Sequence, residues 1–492
     1  MHFLVFTIMP LIYVFYQLYL HPLAAFPGPF WAKVNPLWPV ILLFKGQRHK
    51  SLRRLHSQYG DHVRVGINTL SISHLDADQA THGHDTKFVK DKAYDYMNDY
   101  PNIRSFGSER DTATYLRMKR AIAPSLSQKA VDGIESQIVE RTKLFCSTIT
   151  KRCPEGKTPL DIAELLGYLM FDFIGIFCFG KPYGMLETGV RQTLPDLIDN
   201  SIVMFSYGFL MPWIAPVKRF VTPKSLARDR QAIIEDYKSR VNEHISRGSK
   251  NKDLFESIHQ YVKGLSDDPK IVENYLVANL EVFVIAGSKT LATMLTAAIF
   301  YMARYPNVSH KLRHELEKLL PDQITGHKLA ELPYLNAVIK ETLRLIPPVL
   351  LLSSRSAVED VEVGGRIIPK TTSVIVPYYT LYRDNRYFTQ PDVFIPERWL
   401  DSRFHLDQSL GKTVHLPFSA GIHSCIGQIV AQLEMRLVLA YWVLGFDATL
   451  VEPDAPFQFE EHFLACKIHC LLKAYPREKS GHLRGNRTCQ RD

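Results

Sequence analysis

The chain has little of what holds secreted or modular proteins together. Its seven cysteines (146, 153, 178, 425, 466, 470 and 489) are odd in number and irregularly spaced, which points to reduced thiols in a domain facing the cytosol. No Gly/Ser run, long charge block or internal repeat divides the 492 residues, so one large domain is expected where length alone would suggest about three. The basic excess is only +9 and is scattered, with no zinc-finger or RNA-binding signature beside it. That balance argues against nucleic acid and suits an anionic membrane surface and an acidic protein partner. Cys466, His469 and Cys470 lie close together, but no second pair completes four ligands, so zinc is excluded there.

Charge is also missing from the start. Residues 3–20 contain no Asp, Glu, Lys or Arg and approach the roughly 20 residues with which a helix spans a bilayer. Pro10 would kink that helix without forbidding it. No Lys or Arg precedes the run, and the run exceeds a signal-peptide core, so a cleaved signal is set aside. Lys33, Lys45, Arg48, Lys50, Arg53 and Arg54 follow and keep this flank cytosolic. Residues 1–21 are therefore read as an uncleaved anchor and the proline-rich 22–30 as a stiff connector. Residues 38–44 form a second apolar patch that can dip into lipid.

Further on, 61–73 alternates with β-branched Val63, Val65, Ile67 and Ile72 and reads as short strands. Residues 94–106 are aromatic and turn-rich, a loop. A helix over 110–126 puts Arg117, Lys119 and Arg120 on a basic face, with Tyr115 one turn before Lys119; alone, that is a solvated face. Residues 160–179 read as a core helix. Residues 201–216 carry Met204, Phe205, Phe209, Leu210, Met211 and Trp213, a stripe that ordinarily means packing. The longest helical pattern, 272–304, would run about 50 Å at 1.5 Å per residue. Its middle is Ala286-Gly287-Ser288-Lys289-Thr290, and a mid-helix Gly costs ~1 kcal/mol against Ala. Thr290 can turn its hydroxyl onto the Ala286 carbonyl and open a notch; a packing Gly beside a buried Thr accounts for the residues equally well.

On the helix over 332–345, Glu341 and Arg344 stand one turn apart. They form either a surface pair of little value or, among Val338, Leu343 and Leu345, a buried one that is expensive to break. Pro347-Pro348 stops this helix, Val349 and Leu350 run on apolar, and 361–377 reads as a small sheet. Residues 477–492 are polar and basic, a disordered tail.

The chemistry is expected in 417–427, where Cys425 lies between Gly421 and Gly427 in a tight loop feeding a helix over 428–439. A lone cysteine is usually structural. At a helix N-terminus, however, backbone N–H groups and the dipole favour a thiolate, and the glycines let backbone approach something flat. That suits an axial ligand to haem iron. Phe418-x-x-Gly421-x-His423-x-Cys425-x-Gly427 resembles the haem-binding loop of the cytochrome P450 family, and His21-Pro22-Leu23-x-x-Phe26-Pro27-Gly28-Pro29 is similar to the hinge of its fungal microsomal members.

The resemblance implies a mainly α fold with a small β region, haem lying between the long helix and the Cys425 loop, and a monooxygenase domain over 31–476. It implies that Cys425 ligates the iron, with Phe418, Gly421 and Gly427 shaping the loop. His423 (where Arg is usual), Tyr115, Lys119 and Arg355 would hold the propionates. Ala286, Gly287 and Thr290 match the oxygen-activation motif. Lys289 departs from it, standing at the position of an acid, and is expected to point to solvent while Thr290 and water relay protons. Glu341, Arg344 and Arg398 match a structural triad. Phe205, Phe209, Met211, Trp213, Val349 and Leu350 would line an apolar substrate pocket.

The implied reaction inserts one atom of O2 into a secondary metabolite (terpenoid, polyketide, alkaloid or mycotoxin). Electrons would come from NADPH through cytochrome P450 reductase, with cytochrome b5 as a second donor, at the endoplasmic reticulum membrane. Arg117 and Arg120 would face the reductase. A haem-thiolate isomerase, dehydratase or ring-coupling enzyme and a haem sensor are the alternatives; Thr290 speaks against a sensor or an isomerase.

Overall fold

Pro269–Arg304 is one helix of 36 residues. It starts cleanly because the Asp268 side chain accepts from the Lys270 N–H and Pro269 fills a first-turn position that has no helical N–H partner. Its closest neighbour, Ile162–Phe179, is capped by Asp161 and ends at left-handed Gly180. Both helices are long and apolar enough to cross a membrane, yet 61% of the most apolar window of Pro269–Arg304 and 78% of that of Ile162–Phe179 are buried inside the protein, which makes them core helices. Where they cross, a Cβ on Gly287 would stand 2.6 Å from Ile174 Cδ1, so that glycine has a packing reason.

Around this axis the computed structural model is mainly helical with small sheets, and it describes residues 2–44, 46–98, 100, 102–189, 193–211, 214, 222–248, 253–401 and 413–477. Trp213 and residues 478–492 lie outside the described residues. Thr193–Leu210 and Lys224–Arg247 roof one side of the central helix, and Gln428–Gly445 backs the other. The largest sheet runs in the order His62–Gly66, Thr69–Ile72, Ser373–Val376, Leu352–Ala357, Phe88–Lys90. Its last pairing is antiparallel and sets Lys90 directly opposite Arg355.

In the proline-rich connector, Leu23 and Phe26 are buried in the small core that also holds Leu70, Ile72 and Val374, so 22–30 lies on the sheet.

Candidate active site

Between the central helix and the Cys425 loop lies a cavity of about 610 Å³. Ala286, Gly287 and Thr290 form one wall, and Phe418, His423, Cys425 and Gly427 form the other. The loop is held by its own backbone: Cys425 N–H donates to Phe418 O at 2.9 Å, and Ser424 N–H to Gly421 O at 3.2 Å. Gly421, at φ +65°, faces the His82 carbonyl, which a Cβ would meet at 2.1 Å, so no other residue fits. Gly427 begins the helix Gln428–Gly445, and a Cβ there would meet no protein atom within 4 Å.

Cys425 has open surface, but that surface faces the cavity deep within the protein. Burial pushes its thiol up; the Gly427 N–H and the Lys119 ammonium oppose this without overcoming it. A bound cation would favour the thiolate over the thiol there.

One end of the cavity gathers positive charge. Arg355 donates to the Tyr94 hydroxyl at 2.9 Å. Lys90, its cross-strand neighbour, is buried, donates to Phe106 O at 3.2 Å and Gly107 O at 2.9 Å, and lies 4.6 Å from the centre of the Tyr115 ring. Burial first, then the nearby Arg355 charge, brings Lys90 down to about 7, with Glu109 opposing. No carboxylate forms an ion pair with Lys90 among the described residues. Tyr115 is buried with its hydroxyl held un-ionised by desolvation, and its ring centre is 4.4 Å from that of His423. His423 is kept neutral, near 2, by burial and then by Arg355, Lys90 and Lys119, and its buried Nδ1 has no hydrogen-bond partner among the described residues. Buried cations and an unsatisfied ring nitrogen at one end, a thiol in the wall and an apolar remainder fit a flat, apolar group bearing carboxylates. The residues present thus fit haem.

Sequence reasoning missed Lys90, whose only signal is a lysine ending a three-residue strand (Phe88–Lys90). It placed Lys119 at a propionate, but Lys119 does not line the cavity. It donates to Ile422 O at 2.8 Å and to Ser424 Oγ at 3.3 Å, bracing the Cys425 loop from behind.

On the opposite wall, Thr290 Oγ1 donates to Ala286 O at 2.7 Å, the hydrogen bond expected from the sequence, within a continuous α-helix. Lys289 does not point to solvent and is absent from the cavity wall. Its Nζ lies 2.5 Å from Asp199 Oδ1 on the roof helix, with the Phe171 ring 5.7 Å away. Lys289→Glu would set two carboxylates together. It is expected to lower stability by about 1 kcal/mol, as for other partly exposed pairs, and Asp199→Lys in the same chain to restore it. Thermal midpoints of the single and double variants check this; equal midpoints would show that the pair carries no energy.

Of the expected pocket residues, Phe205 and Val349 line the cavity. Phe209 packs behind Phe205 and edge-on to Tyr94, Leu350 is in the core, and Met211 is half-buried outside the wall. Tyr96, Phe283 and Phe463 take their places. Glu341, Arg344 and Arg398 are fully buried together, away from the cavity.

A family model described as Cytochrome P450 matches residues 27–469. A cytochrome P450 monooxygenase of Eupenicillium brefeldianum is 32% identical over 92% of this chain and 89% of its own. The trichothecene C-15 hydroxylase of Fusarium sporotrichioides is 31% identical, covering 89% and 90% respectively. The tryprostatin B 6-hydroxylase of Aspergillus fumigatus is 28% identical, covering 92% and 80%. With the thiol, the basic end and Thr290 meeting in one cavity, the chain belongs to the cytochrome P450 family.

Proposed function

We propose that this monooxygenase inserts one oxygen atom of O2 into an apolar secondary metabolite, drawing electrons from NADPH through cytochrome P450 reductase. The observation that carries the reading is one cavity walled by Cys425 on one side and by Ala286, Gly287 and Thr290 on the other. Haem, when bound, supplies the oxygen chemistry, and a thiolate ligand favours O–O cleavage. The protein's part is holding and proton delivery. Cys425 would hold the iron, Arg355, Lys90 and Tyr115 would hold the propionates, and neutral His423 would offer a ring nitrogen beside them. Thr290, bonded to Ala286 O, keeps its oxygen as an acceptor in the cavity and can hold a water there.

Phe205, Phe283, Val349 and Phe463 exclude bulk water and favour an apolar substrate. Relatives named as hydroxylases of tryprostatin B and of a trichothecene support a metabolite of that kind. Exposed Arg117 and Arg120 form a basic surface suited to an acidic reductase, with cytochrome b5 as a second donor. The uncharged N-terminal helix supports anchoring in the endoplasmic reticulum, with 31–476 as the catalytic domain on the cytosolic side.

Purified protein with reductase should consume NADPH only when both are present. Thr290→Ala should keep the haem spectrum and divert electrons to peroxide, lowering product per NADPH by a factor on the order of ten. That is less than the hundredfold or more for outright loss of a proton donor, because water remains. Unchanged coupling would remove Thr290 from the relay, and NADPH consumption without need of a reductase would overturn the reading.

A further inference from the structure

The N-terminal helix His2–Phe15 widens into a π turn, Tyr16–Leu20, closed by the His21 N–H donating to Tyr16 O at 2.8 Å. In that pattern the Gln17 carbonyl would accept from residue 22, but residue 22 is proline and has no N–H. A guanidinium from the catalytic domain takes its place. Arg64 Nη1 donates to Gln17 O at 2.8 Å and Nη2 to Gln17 Oε1 at 2.7 Å, while Nε and Nη2 reach Ile67 O at 3.2 and 2.7 Å.

Arg64 is 0% exposed and Gln17 5%. No carboxylate pairs with Arg64 among the described residues. A guanidinium stays out of water only where its donors are met, so the acceptors on Gln17 are part of what permits this burial. Burial brings Arg64 down to about 10, which leaves it charged at neutral pH.

The chain that follows is seated as firmly. Arg64 N–H donates to Pro27 O at 2.7 Å, and a Cβ on Gly28 would stand 2.3 Å from Arg64 O, so the connector lies against the strand. The Arg366 guanidinium sits 4.6 Å from the centre of the buried Phe26 ring.

We infer that the N-terminal helix and the catalytic domain form one rigid unit, joined where Arg64 grips Gln17, so that the domain rests on a lipid bilayer in one fixed pose. The exposed Tyr19 and Leu20 then belong to the same body as exposed Phe30, Trp31, Ile41 and Phe44. Lipid is the occupant because these side chains continue from a helix without charge. The inference rests on the proposed membrane anchoring.

Hydrogen exchange on the full-length, haem-loaded protein in phosphatidylcholine nanodiscs tests it. The amides of His21, Leu23, Ala24 and Phe26 should exchange at least a hundredfold more slowly than in an unstructured peptide. Arg64→Leu should speed them at least tenfold. Gln17→Leu, which removes one acceptor without touching the domain's strand, should speed them less, with exchange of the central helix unchanged. Peptide-like exchange in the parent protein, or full protection in both variants, would overturn the joint. Flotation on phosphatidylcholine vesicles separates the two ideas. A chain that does not float defeats the anchor reading, whereas one that floats with an unprotected joint defeats only this inference.

Discussion

Cys425→Ser is expected to leave the fold in place and abolish the red-shifted Soret band of a thiolate-bound reduced carbonyl complex, with product formation falling to background. Serine has nearly the same volume, and what shapes the loop is backbone. The 425 N–H still donates to Phe418 O, and Gly421 still fits against His82. Lys119 keeps its bond to Ile422 O. The loop therefore has no reason to move, and any loss traces to the sulfur. A hydroxyl resists ionisation and lacks the electron donation by which thiolate favours O–O cleavage. Porphyrin should still bind through the basic end formed by Arg355, Lys90 and Tyr115, so the variant should carry an altered spectrum. Absorbance of the reduced carbonyl complex and reductase-driven turnover are the two measurements. If the red-shifted band survives in the serine variant, residue 425 is not the ligand and the oxygenase account loses its centre.

Legibility in the sequence followed distance along the chain. The helix expected over 272–304 is Pro269–Arg304, and the bond from Thr290 to Ala286 was readable because it joins residues one turn apart. The Cys425 loop was readable for the same reason, since its backbone bonds close within eleven residues of sequence, 417–427. Side-chain destinations across the fold were not readable. Lys90 meets Arg355 only because two strands from distant segments pair, and nothing in a Phe-Val-Lys strand announces it. Lys289 looks solvent-bound until a roof helix brings Asp199 to it. Lys119 keeps the expected neighbourhood but donates to Ile422 O and Ser424 Oγ of the Cys425 loop. Prolines marked 22–30 as a stiff connector, but they did not announce that its leucine and phenylalanine enter a core. Periodicity marks which residues are helical; it does not say which partner a long charged side chain will find.

Glu341→Gln is expected to cost about 3–5 kcal/mol, a large share of the roughly 5–15 kcal/mol that holds a folded protein. The carboxylate accepts from Arg344 Nε at 2.9 Å and Nη2 at 2.8 Å, from Arg398 Nε at 3.0 Å, from the Ile395 N–H at 2.9 Å and from Trp399 Nε1 at 3.0 Å. Burial opposes its ionisation, but Arg344 and then Arg398 outweigh that and hold Glu341 below its ordinary value. Glutamine would keep some of the bonds and remove the only negative charge these two buried cations share among the described residues. Arg344 could not leave, because it also donates to Tyr382 O at 2.7 Å and Pro391 O at 2.6 Å.

The damage should reach the haem loop. The Tyr382 hydroxyl accepts from the Leu416 N–H at 3.1 Å, and the Trp399 ring centre lies 4.6 Å from that of His415, just ahead of Pro417. The sign with pH is fixed by the depressed carboxyl. Its stabilisation is fully present above the ordinary value of 4.5 and is lost as pH falls through the lower folded value. Denaturation at pH 7 should therefore separate parent and variant widely, with the gap closing below pH ~4.5 as the parent loses what glutamine never had. A variant within about 1 kcal/mol of the parent at pH 7, where removing one partner of a buried pair should cost several, would mean this cluster does not hold the fold.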